Sequence, residues 1–130
     1  KISLGIKNII HNKLKYIEIG SLDSIVDWSY VTDVVEAMFL SLNTSIPYDF
    51  IIASGKAHTT REYIDIAFKS QGLNYQEYIN IDTEFKDNTS PNVPRIGDSS
   101  FIKKVTQWEP KFSFYDMVIE LMRLEINEKS

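Results

Sequence analysis

The chain has 130 residues, enough for one domain and not two, and its 43% hydrophobic and 25% charged residues are those of an ordinary globular domain. A formal charge of −4 with scattered lysines argues against a protein that works by neutralising nucleic-acid phosphates. No apolar run nears the roughly 20 residues of a membrane helix, and cysteine is absent, which fits a reducing, cytoplasmic setting without disulfides.

Lys1 to Leu14 predicts a helix, because Ile2, Ile6, Ile9, Ile10 and Leu14 fall on one stripe. No capping residue precedes it, as expected for a chain cut from a longer one. The lysines around Lys7 to Lys15, like Lys103-Lys104, read as solvated helix faces. The start, KISLGIKNII, has neither the long apolar core nor the cleavage site of a signal peptide. Tyr16 to Ile19 and Ile25 to Tyr30 read as short extended segments separated by Gly20-Ser21. Thr32 or Asp33 is the expected cap of the next helix, and Asp33 with Glu36 has capping-box spacing. That helix is apolar on most sides, which predicts burial on more than one face. Asp49 to Ala53 (DFIIA) reads as a strand buried on both faces, as in a parallel sheet.

Thr59 and Glu62 form a second capping box, opening a helix closed by Gly72. Tyr75 to Ile81 alternates like a strand, and Phe85 to Ile96 is a Pro/Asn-rich loop. Asp98 is the expected cap of a short helix to about Gln107, and Ser113 that of a final amphipathic helix. The order of elements gives an α/β class with short strands and about five helices. Two histidines without cysteine cannot make a structural zinc site, so His11 and His58 read as surface or capping neighbours and no metal is expected. Neither G-x-G-x-x-G, G-x-x-x-x-G-K nor G-x-S-x-G occurs.

Three segments in order resemble extended short-chain dehydrogenases acting on sugar nucleotides, and GDP-mannose 4,6-dehydratases among them. IGSLDSIVDWSYVTDVVEAM (19–38) is similar to G-N-L-D-A-x-R-D-W-G-x-x-x-D-Y-V, through Gly20, Leu22, Asp23, Asp27, Trp28 and Asp33. PYDFIIASGKAHTTREYIDIAF (47–68) resembles D-F-V-I-A-T-G-x-x-H-S-V-R-E-F-V, through Asp49, Phe50, Ile52, Ala53, Gly55, His58, Arg61 and Glu62. GDSSFIKKVTQWEPKFSFYDMV (97–118) matches G-D-x-x-K-A-x-x-x-L-G-W-x-P-x-x-S-F-x-E-L-V at Gly97, Asp98, Trp108, Pro110, Ser113 and Phe114. KIS at the start is similar to an R-K-I-T that follows the family's central strands.

The resemblance implies that residues 1–130 are one C-terminal, nucleotide-sugar-binding domain of an extended Rossmann-type dehydrogenase. It implies NADP-dependent removal of water from GDP-mannose by the parent enzyme, a hydride leaving C4 of the sugar and returning at C6. The family's glycine-rich turn, Tyr-x-x-x-Lys pair and water-handling Thr and Glu all precede this segment. The expectation is therefore no catalytic and no cofactor-binding residue here, and no activity in isolation. Expected partners are a GDP-mannose-like nucleotide sugar and further copies of the parent in a homo-oligomer, with no nucleic acid and no membrane. The family arginine before Asp-Trp is Val26, and Asn88 stands where an R-P-x-E arginine contacts the diphosphate. Losing two charge-assisted contacts of about 1.5–3 kcal/mol each would weaken binding a hundredfold or more. Lys1 and Arg95 are then the nearest basic candidates for substrate binding. The alternative is a non-catalytic interaction or assembly module that retains the scaffold. Arg61 reads equally as a salt-bridge residue, and Trp108 and Pro110 as packing residues.

Overall fold

The computed structural model describes residues 1–45, 47–82 and 94–128. Most of the loop expected over 85–96, Asn88 included, lies outside them. The described elements are α1 (Ile2–Ile10), β1 (Ile17–Ile19), β2 (Ile25–Asp27), α2 (Val31–Leu42), β3 (Ala57–Thr59), α3 (Thr60–Lys69), β4 (Ile79–Ile81), α4 (Ser100–Thr106) and α5 (Phe114–Asn127). Five helices with short strands match the α/β expectation.

Helix α1 has no side-chain cap at Lys1, as expected, but stops at Ile10 instead of Leu14. Asn12 takes a left-handed backbone (φ 56°), and the N–H groups of Lys13 and Leu14 both donate back to Asn8 O. The chain therefore reverses into β1, and Gly5 lets the strand lie close, since a Cβ there would sit 2.5 Å from Ile17 Cδ1. β1 pairs in parallel with β4, Ile17 opposite Ile79. The first half of the expected 75–81 strand is instead a 3₁₀ turn over Tyr75–Glu77, because the Asn74 side chain accepts the Gln76 N–H. β2 and β3 pair antiparallel, Ile25 opposite Thr59 and Asp27 opposite Ala57.

The main core lies where α1, α3 and α5 meet over β1. Ile6, Ile64, Phe68, Val118 and Met122 are its closed centre. Burying side chains of this size contributes about 1.5–3 kcal/mol each. Lys7 enters this layer because its ammonium donates to Glu128 O at 2.8 Å and lies 4.0 Å from Glu125. Both α3 and α5 begin with complete capping boxes, Thr59 with Glu62 and Ser113 with Asp116. Each satisfies two orphan N–H donors at its helix start. A smaller cluster of Ala37, Ile102 and Trp108 joins α2 to α4.

Three expectations are corrected. Asp33 does not cap α2, whose N-cap is Tyr30; it is buried, and its carboxylate accepts the Phe112 N–H at 3.0 Å. Glu36 completes no box and pairs with Lys111. Helix α2 is not buried on several faces: Asp33 and Ala37 are its buried residues, while Val31, Val35, Met38, Phe39 and Leu42 are exposed. Residues 49–53 join neither two-stranded sheet, and Ile51 is exposed. An apolar run forms a strand only where a neighbour completes the ladder, and among the described residues none does. One smaller shift is that Ser99, not Asp98, is the N-cap of α4, although Asp98 Oδ1 still accepts the Ser100 N–H.

Candidate functional site

The three motif segments meet at Asp27, the last residue of β2. Its Oδ1 accepts the Ser54 N–H at 3.1 Å and the Ser54 hydroxyl at 2.5 Å. Its Oδ2 accepts the N–H groups of Gly55 at 3.0 Å and Gly97 at 3.2 Å. One carboxylate thus ties β2 to the turn before β3 and to the segment before α4. Gly97 is required there by close approach, since a Cβ would collide with that of Ala53. Beside it Val26 pairs with Arg95 through a parallel backbone bridge.

Other motif residues also resolve into internal contacts. The Trp108 indole N–H donates to Asp33 O at 3.0 Å, while the Asp33 carboxylate holds Phe112, so α2 fixes residues 108–112 at two points. Arg61 pairs with Asp23 at 2.8 Å, and this bond, then the Tyr75 hydroxyl, raises the guanidinium pKa further. The salt-bridge reading of Arg61 is the one the geometry supports. Asp98 titrates below its ordinary value because the Ser100 backbone N–H binds its carboxylate.

Between the start of α3 and residues 110–115 lies a cleft of about 630 Å³ lined by Trp28, Lys56, His58, Glu62, Phe114 and Tyr115 among others. His58 stacks on Phe114 with ring centroids 3.8 Å apart and planes 3° from parallel. Its Nδ1 lies 3.7 Å from Glu62 Oε2. Glu62 is held below its usual range, first by the Thr59 backbone N–H, then by the Thr59 hydroxyl and His58. The Trp28 indole N–H behind this stack is buried without a partner among the described residues. The cleft offers flat aromatic surface, with Lys56 and Lys111 among its lining residues. No group of three or more metal-ligating side chains occurs among the described residues.

The two basic candidates do not converge. Lys1 lines a groove between α1 and the start of β1, with Lys13 and Lys15. Arg95 is exposed beside β2, and no hydrogen bond or ion pair joins it to Lys1 among the described residues. Sequence reasoning noticed the Lys7–Lys15 cluster but assigned it to a solvated face. The signal it lacked was the Asn12 reversal, which puts two of those lysines opposite Lys1.

A family model for GDP-mannose 4,6 dehydratase matches residues 1–121. The chain belongs to the GDP-mannose 4,6-dehydratase family. The GDP-mannose 4,6 dehydratase of Drosophila melanogaster is 30% identical over 97% of this chain and 36% of its own length. The Homo sapiens relative is 28% identical over 97% and 38%. Among solved structures, RMD from Pseudomonas aeruginosa complexed with NADPH superposes with a TM-score of 0.83 at 16% identity, covering 96% of this chain and 41% of that one. The dTDP-glucose 4,6-dehydratase of Bacillus anthracis in complex with NAD gives 0.79 at 22% identity, with 98% and 39% covered. These neighbours share the fold. The chain spans roughly two fifths of the length of the relatives it matches. The extended dehydratase/epimerase assignment made from the three motif segments is therefore correct. The described residues do not fit a nicotinamide dinucleotide: Gly5 sits within α1, Gly20 ends β1, Gly55 and Gly72 are left-handed turns, and Gly97 packs on Ala53. None forms the glycine-rich strand-to-helix turn that cradles a diphosphate, and no hydride step is assigned to this chain.

Proposed function

We infer that residues 1–130 act as the sugar-nucleotide-binding portion of a GDP-mannose 4,6-dehydratase-type enzyme and are inert without a cofactor-binding part supplied from elsewhere. The substrate class is a GDP-mannose-like nucleotide sugar, and NADP belongs to the parent assembly. The observation that carries this reading is the Asp27 carboxylate, which draws all three family segments to one place through four hydrogen bonds. In support, the structural neighbour from Thermotoga maritima is a UDP-glucose 4-epimerase with UDP-glucose (TM-score 0.73, 18% identity).

Calorimetry tests the reading in two titrations. NADP at micromolar concentration gives no heat, and detectable binding overturns the assignment of the cofactor to another part. GDP-mannose binds weakly, and absence of detectable heat at millimolar GDP-mannose with an intact fold removes the ligand-binding reading. It would leave the interaction module, which the exposed apolar face of α2 favours.

A further inference from the structure

The groove beside α1 is built, not incidental. Asn12 N–H donates to Ile9 O at 2.9 Å, Lys13 N–H to Asn8 O at 2.8 Å and Leu14 N–H to the same oxygen at 3.3 Å. These three bonds lock the reversal after α1 and lay residues 13–18 along the helix face of Lys1, Leu4, Gly5 and Asn8, enclosing about 640 Å³. Lys1, Lys13 and Lys15 all line it, against one carboxylate, Glu18. Among the described residues no ion pair or hydrogen bond engages the side-chain ammonium of any of these three lysines, whereas Lys7, Lys69, Lys103 and Lys111 are each paired with a carboxylate. In a chain of net charge −4 this concavity is locally positive. Clefts of one sign with low-dielectric walls concentrate the opposite ion.

Its walls add a second feature. Leu4, Leu14 and Tyr16 are each at least 40% exposed although large and apolar. A ligand that satisfies both features has a compact multiple negative charge joined to a flat or apolar body. A nucleoside diphosphate has that shape. Arg95, the other basic candidate, is bridged to Val26 and does not line this groove.

We propose that Lys13 and Lys15, together with Lys1, hold the diphosphate of the sugar nucleotide in the α1 groove, in place of arginines at positions 26 and 88. This rests on the sugar-nucleotide reading above, so two probes keep their failures apart. Sodium pyrophosphate is titrated into the 130-residue chain by calorimetry at low salt, and GDP-mannose is titrated in parallel. Lys13→Ala with Lys15→Ala weakens pyrophosphate binding at least tenfold. Lys69→Ala with Lys104→Ala, the same charge loss elsewhere, changes it less than twofold. Both groove lysines are exposed, so circular dichroism and the thermal midpoint stay unchanged, and Lys13→Arg with Lys15→Arg retains binding. The proposal is overturned if the unaltered chain does not bind pyrophosphate, if the groove variant binds as the parent does, or if the control variant loses as much. If GDP-mannose binds and the groove variant leaves it intact, the groove falls and the substrate class survives. If pyrophosphate behaves as expected but GDP-mannose does not bind, the anion groove stands and the sugar-nucleotide reading falls.

Discussion

Replacing Asp27 tests whether one carboxylate organises the site. Asp27→Ala deletes the acceptor of four hydrogen bonds, three from backbone N–H groups and one from the Ser54 hydroxyl. A hydrogen bond to a charged group contributes about 1.5–3 kcal/mol, but Gly55 is exposed and can take water when released. Counting the Ser54 N–H and Gly97 N–H contacts at the low end of that range, and little for Gly55 and for the Ser54 hydroxyl, which keeps Lys56 as a partner, the expected loss is about 3 kcal/mol. At about 3–5 °C per kcal/mol for a domain of this size, the thermal midpoint falls by roughly 10 °C or more. Asp27→Asn keeps one acceptor oxygen, so either the Ser54 pair or the Gly55 and Gly97 pair survives, and its loss lies between those of Ala and the parent. Ser54→Ala removes the hydroxyl's bond to Asp27 and its acceptance of the Lys56 N–H at 3.1 Å, and costs about 1.5–3 kcal/mol. Urea unfolding supplies the measurement, with the midpoint moving and the slope constant. If Asp27→Ala costs less than about 0.5 kcal/mol, an ordinary surface value, the hub is not a hub.

Gly97→Ala should destabilise by about 1–3 kcal/mol, because its methyl meets Ala53 and lies 3.3 Å from Ile51 Cγ2; Ala53→Gly restores part of the loss, and an unchanged urea midpoint refutes the contact. Glu62 has a folded pKa below its ordinary 4.5, so its contribution is full above about pH 4.5 and disappears as pH falls through the folded value. The stability–pH curve of Glu62→Gln is therefore flatter than the parent's on the acid side, and parallel curves would refute the linkage. Val35→Glu with Phe39→Glu should lower self-association and hydrophobic-dye binding, since both side chains are more than half exposed on α2. A parent chain that is monomeric by light scattering at high concentration and binds no dye would contradict this.

What the sequence by itself determined is whatever depends on near neighbours. Thr59 with Glu62, and Ser113 at the start of α5, were legible because a cap and its N–H donor are three residues apart. The periodic faces of α1, α3 and α5 were legible for the same reason, and the three motif segments named the family before any contact was known. Only the tertiary structure could decide Asp33. It has the spacing of a cap, yet its carboxylate serves Phe112, 79 residues away. The DFIIA run has a strand's composition, but a strand is a relation between two backbones, and this one joins neither sheet. Likewise Asp27 looked like one more motif residue until Ser54, Gly55 and Gly97 closed around it. Lys13 and Lys15 looked like a solvated face until a left-handed Asn12 turned them toward Lys1. Spacing along the chain specifies interactions within a turn or two of helix, whereas a buried carboxylate or a charged groove depends on which distant segments the packed core brings together.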